Sequence, residues 1–169
     1  MSSLDLEETA LPAATDVTDA ARLLGSWQLV RWEIGYSDAR PSSFPFGPDA
    51  TGLIHYTHDG GMSACIARQG RAPLSGPSVR SAPQPQQLAA FESYFQYAGR
   101  FHIRTAPGRT QVVHQVTHSL NPNFVGTQQV RDVGFADDGT LTLSADDDLP
   151  GGSGVVRHHR LIWRRAPSP

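Results

Sequence analysis

The feature that most constrains this chain is a repeated alternation of apolar and polar residues, cut into short lengths by turn residues. Strand character falls in eight segments, roughly 25–35, 51–58, 61–68, 98–106, 110–120, 125–135, 140–146 and 154–165. Between them lie His58-Asp59-Gly60, Pro107-Gly108, Asn121-Pro122-Asn123, Asp137-Asp138-Gly139 and Gly151-Gly152. Strands at this spacing with short connections predict an all-β, antiparallel, up-and-down arrangement. Eight such strands close best into a barrel, which removes the exposed edges of an open sheet. A flattened sandwich is the alternative.

Two stretches depart from the pattern. Residues 69–87 form a long connection with prolines at 73, 77, 83 and 85, long enough to act as a lid. Behind it, PQQLAAFESYFQYAG sets Leu88, Phe91, Phe95 and Ala98 at helical spacing, so one α-helix is expected between the third and fourth strands. Residues 1–18 carry Asp5, Glu7, Glu8 and Asp16 without a base and read as a disordered acidic tail ahead of a domain at 19–166.

Composition removes several kinds of chemistry. All 14 basic residues are arginine, so no lysine Schiff base or P-loop lysine is available. Cys65 is the single cysteine, which excludes an internal disulfide and a cysteine-cluster zinc site. A net charge of −2 leaves no electrostatic footprint for nucleic acid or an anionic membrane. No segment reads as a signal peptide or a membrane span, and a cytoplasmic protein is expected. No cofactor is expected, since no glycine-rich phosphate loop opens a helix. A homodimer stays open.

The first strand holds Gly25-Ser26-Trp27 and the last reads HHRLIWRRA, which sets Arg165 as a candidate to cover Trp27. In these features the chain resembles the lipocalin-like proteins. The stretches FPFGPDATGLIHYTHDGGMSA, FESYFQYAGRF and SLNPNFVGTQQVR resemble more closely a bacterial and fungal lipocalin-like domain family, over about residues 22 to 166. That resemblance implies an eight-stranded barrel around a small-molecule cavity.

Turn geometry predicts which residues face inward. An even-length turn at Pro107-Gly108 sets Phe101 opposite His114 and Ile103 opposite Val112. A three-residue turn at Asp137–Gly139 sets Phe135 opposite Leu141 and Val133 opposite Leu143. A four-residue turn over 121–124 would then pair His114 with Arg131, Val116 with Gln129 and His118 with Thr127. Imidazole, guanidinium and amide groups would converge on an otherwise apolar wall, to which Met62, Val133 and His159 are also assigned.

His114 and His118 are ~13 Å apart along a strand, too far to share a metal. Acid–base work fits better. An imidazole beside an arginine stays neutral near pH 7, and Arg131 can stabilise an enolate or polarise a carbonyl. Tyr56, on the side of Ile54, could donate a hydrogen bond to the same molecule. The expectation is binding of a largely apolar small molecule with cofactor-free isomerisation or cyclisation, of a natural-product or polyketide-type substrate, by His114, Arg131 and Tyr56. Phe101, Val116, His118, Gln129, Val133, His159 and Met62 would contact it. The alternative is a carrier or sensor that binds without reacting.

Overall fold

Eight strands run in chain order around a closed barrel: β1 (Gly25–Tyr36), β2 (Thr51–Tyr56), β3 (Gly61–Ala67), β4 (Tyr94–Ala106), β5 (Arg109–Ser119), β6 (Gln128–Phe135), β7 (Leu141–Asp148) and β8 (Val156–Arg165). Each pairs antiparallel with the next, and β8 pairs with β1 to complete the cylinder. This computed structural model describes residues 14–167, with side chains from residue 19 onward. Two α-helices accompany the barrel, α1 (Ala14–Leu23) before β1 and α2 (Gln84–Glu92) between β3 and β4. The expected acidic tail lies mostly outside the described residues, and α1 spans its expected boundary at position 18.

The alternation rule works cleanly where strands are regular. On β3, Met62, Ala64 and Ile66 are buried while their neighbours are half-exposed. The β4–β5 register matches the expectation from the Pro107-Gly108 turn, with Phe101 opposite His114 and Ile103 opposite Val112. The β6–β7 register matches as well, with Phe135 opposite Leu141 and Val133 opposite Leu143.

Two β-bulges change the phase elsewhere. In β1 the pairing with β8 skips Val30, so both Trp27 and Trp32 face inward despite their odd separation. In β5 Thr117 is extra, because Gly99 pairs with Val116 and Ala98 with His118. Gly99 permits that kink: a Cβ there would lie 1.9 Å from the carbonyl oxygen of Gln115. His118 consequently turns outward and is exposed, bonding the hydroxyl of Thr117 instead of facing the interior.

Two further expectations are corrected. His114 stands opposite Gln129 rather than Arg131, which pairs with Val112. The connection between β5 and β6 is longer than four residues and contains a 3-10 turn at Pro122–Phe124, which slides β6 by two positions without changing its faces. The helix after the proline-rich segment stops at Glu92, so Phe95 belongs to β4. Ser93 ends it, and the aromatic run Tyr94–Tyr97 favours the strand.

The end of the barrel near Trp27 is sealed. Its ring is 1 % exposed, and its Nε1 donates to the carbonyl of Leu23 at 2.8 Å. Arg165 lies over that ring at 4.2 Å and donates to the carbonyls of Leu24 and Arg22. These bonds satisfy carbonyls at the C-terminus of α1, where a cation is also favoured by the helix dipole. Gly25, at φ +109°, makes the turn out of the helix, and a Cβ there would come within 2.9 Å of Arg165.

The other end is capped by aromatic side chains. Phe46, in the 37–50 connection, stacks on Trp32 with ring centroids 5.5 Å apart, and Phe95 meets both. Phe124 closes against Phe95 and Tyr97. The proline-rich segment is tied to α2 through Ser75 to Gln86 and through Arg71 to Ser93 and the carbonyl of Ala90.

Candidate functional site

His114 is the polar centre of the interior, fully buried on β5. Tyr56 from β2 meets its Nε2 at 2.9 Å, and Tyr97 from β4 meets its Nδ1 at 2.8 Å. Burial, aided by the nearby charge of Arg131, pushes the imidazole pKa down to about 3, so the ring is neutral. Burial likewise raises both tyrosines, which stay phenolic.

A neutral imidazole has one N–H and one acceptor, so its two tyrosine partners must play different parts. Tyr56 is enclosed and has His114 as its hydrogen-bond partner. We assign its O–H to Nε2, because Tyr97 borders the cavity, where its own O–H can find another acceptor, and Tyr56 does not. Nδ1 then carries the proton and donates to the oxygen of Tyr97. Tyr97 keeps its own O–H unspent, and Tyr97 lines a cavity. The chain Tyr56→His114→Tyr97 thus ends in a donor aimed at the interior space.

That cavity has an aliphatic floor of Ile54, Ala64, Ile66, Leu143 and Leu161. Around it stand Trp32, Trp163, Arg131 and His159. The indole N–H groups of Trp32 and Trp163 are buried without a protein acceptor among the described residues. Arg131 donates to the carbonyl of Val130 at 2.7 Å and to Oε1 of Gln129 at 3.3 Å, and no carboxylate pairs with it among the described residues. Gln129 is itself held by Thr127, which aligns a polar ladder along β6. His159 donates to Asp147 at 3.2 Å, and burial lowers its pKa against the pull of that carboxylate.

The cavity measures about 40 Å³. That volume suits ordered water, whereas ligand sites run ~300–1,000 Å³. A ligand would have to displace side chains, and the Phe46 ring, which comes from a connection and not from a strand, is the part of the aromatic cap outside the barrel wall.

Of the residues assigned from sequence, His114, Arg131 and His159 line this space. Tyr56 stands one layer behind, against the edge of Phe101 at 4.8 Å. Phe101, Met62, Val116 and Val133 belong to the hydrophobic core and do not line the cavity. Gln129 orients Arg131, and His118 is outside. Trp32, Trp163 and Tyr97 were missed as polar contributors. Trp163 shares a strand face with His159, which is a readable signal. Trp32 is hidden by the bulge, and Tyr97 by a helix pattern that runs past the real helix end. Among the described residues, no three His, Cys, Asp or Glu gather as metal ligands, and no helix is long and apolar enough to cross a membrane.

A closed eight-stranded barrel with a sealed Gly-x-Trp end and a polar-edged apolar interior defines a lipocalin-type architecture. The chain belongs to the lipocalin-like domain family, whose sequence profile matches residues 24–166. It is 33 % identical over 110 residues to a 4'-hydroxy-3'-methoxypropiophenone carrier protein of Aspergillus oryzae, an alignment covering 63 % of this chain and 97 % of that protein.

Proposed function

We propose that this protein is a carrier for an apolar, oxygen-bearing small molecule of the aryl-ketone kind, held in the barrel interior. The observation that carries this reading is the set of unspent donors around an aliphatic cavity: two indole N–H groups, the Tyr97 hydroxyl and the Arg131 guanidinium. Unpaired buried donors cost stability, and a ligand oxygen would repair that deficit. A flat aromatic body would replace the stacking that Phe46 now gives Trp32. The relative named as an aryl-ketone carrier supports the same class of ligand.

The same donors would polarise a carbonyl, where a cofactor-free isomerisation or cyclisation would begin. Such a reaction also needs a proton acceptor. His114 has both nitrogens bonded to tyrosines and a pKa near 3, so it is a poor base in this arrangement. Together with the relative's printed role as a carrier, this makes carriage without reaction the better reading.

Titration with 4-hydroxy-3-methoxypropiophenone, followed by quenching of tryptophan fluorescence and by calorimetry, tests it. Saturable one-to-one binding, weakened by Trp163→Phe, is expected, with the ketone recovered unchanged. Absence of saturable binding by this ketone and by simpler aryl ketones would overturn the proposal, and conversion of the ketone would favour the catalytic alternative.

A further inference from the structure

We infer that the interior site holds its ligand as an oxyanion, so that an acidic hydroxyl conjugated to a carbonyl loses its proton on binding. The inference rests on the carrier reading and specifies the ligand form. Its basis is an imbalance of hydrogen-bonding groups. Most uncommitted polar groups at the cavity are donors: Nε1 of Trp32, Nε1 of Trp163, the Tyr97 hydroxyl and the N–H groups that Arg131 does not spend on Val130 and Gln129; the exception is Nδ1 of His159, whose Nε2 donates to Asp147.

The other acceptors are taken. On β5, His114 uses one nitrogen to accept from Tyr56 and the other to donate to Tyr97. From β7 the charged group is Asp147, whose carboxylate is paired with Arg157 and accepts from His159 of β8. On β6, Gln129 Oε1 accepts from Arg131 and the amide donates to Thr127. Tyr56 and Tyr97 face the site from β2 and β4 as neutral phenols, with their ionisation disfavoured by burial.

A neutral phenol placed here would bring a further donor into a site already rich in donors, with Nδ1 of His159 as the one ring nitrogen left to accept it. The phenolate accepts from several donors at once, and Arg131 supplies the compensating charge. The proton goes to the buffer, and no covalent bond to the protein forms. Keto-conjugated phenols suit this site because the anion's charge is shared between two oxygens at opposite ends of a flat ring.

The test uses the full chain and two probes, 4-hydroxyacetophenone and its methyl ether, 4-methoxyacetophenone, which cannot ionise. The phenolate of the first absorbs at longer wavelength than the phenol. With protein in excess, its titration midpoint should fall by about 1 or more, meaning at least a tenfold preference for the anion. Calorimetry in two buffers of different ionisation enthalpy should report proton release near neutral pH, and the methyl ether should bind at least tenfold more weakly. Arg131→Gln, checked for folding by its melting curve, should abolish the lowered midpoint; if that variant does not fold, the wild-type titration decides. An unchanged midpoint with equal binding of both probes overturns this inference while leaving the carrier reading intact. Failure of both probes to bind would instead overturn the carrier reading, and this inference with it.

Discussion

Tryptophan and arginine meet at two places inside this barrel, and the two are finished differently. At the sealed end Trp27 gives its N–H to Leu23, and Arg165 spends its guanidinium on the ring and on two helix carbonyls. In the cavity Trp32 and Trp163 hold N–H groups that meet no protein acceptor, beside an Arg131 that has no counter-ion, among the described residues. The same residue types thus serve opposite ends. Complete pairing makes a stable plug, whereas incomplete pairing within an apolar space leaves free energy available to whatever binds there.

Breaking the sealed end should have the largest effect. Trp27→Ala removes a fully buried indole, its helix-capping bond and the surface on which Arg165 rests, and should cost about 3–5 kcal/mol in chemical denaturation. Ligand affinity of the fraction that remains folded should change little, because Trp27 does not line the cavity.

Acid should act on the other end. His114 has a pKa near 3 in the folded protein against an ordinary value of 6.5. Below 6.5 the unfolded chain binds a proton that the folded chain refuses, so stability falls as pH drops. The contribution is fully present above about pH 6.5. It declines by up to about 1.4 kcal/mol per pH unit on the way down to pH 3, a few kcal/mol altogether. Urea midpoints measured across that range in wild type and in His114→Phe should diverge, with the variant lacking this share of the acid sensitivity. Parallel curves would place the titrating group elsewhere.

At neutral pH, His114→Phe keeps the volume but strands the hydroxyl of Tyr56, at a cost of about 1–3 kcal/mol. Adding Tyr56→Phe should recover part of that loss, since removing both members of a pair costs less than orphaning one. A double-mutant cycle measured by denaturation checks the sign of this coupling.

The smallest effect isolates the indole N–H itself. Trp27→Phe and Trp32→Phe shrink the side chain equally, but only the first loses a hydrogen bond. Trp27→Phe should be the more destabilising by about 0.5–1.5 kcal/mol in the ligand-free protein. With an aryl ketone at saturation the gap should narrow, because the ligand then accepts from Trp32. Phe46→Ala sharpens the comparison kinetically: it should speed ligand association and release with little effect on unfolding, as read by stopped-flow fluorescence.

Much of the barrel is legible in the order of residues. Alternation and turn length together specify a register, which is why Phe101 against His114 and Val133 against Leu143 follow from Pro107-Gly108 and Asp137–Gly139. The sealed end is legible for a related reason. Glycine before a tryptophan on one strand and arginine at the end of the last can meet only if those strands are neighbours, and β1 and β8 are.

The site was decided by longer-range contacts. A bulge adds one residue to one strand only because the partner strand and the packing around it accept the kink, and no local propensity announces it. Val30 thereby brings Trp32 indoors, and Thr117, admitted by Gly99, sends His118 outdoors. The slide that moved His114 from Arg131 to Gln129 came from a connection whose length depends on how Phe124 caps the barrel. Even the proton positions on His114 follow from tertiary structure. They depend on Tyr97 bordering the cavity while Tyr56 does not, a property of the surrounding packing and not of residue 114. Periodicity is local and survives in the sequence, whereas phase shifts, orphaned donors and the direction of a hydrogen-bond chain exist only once distant strands are brought together.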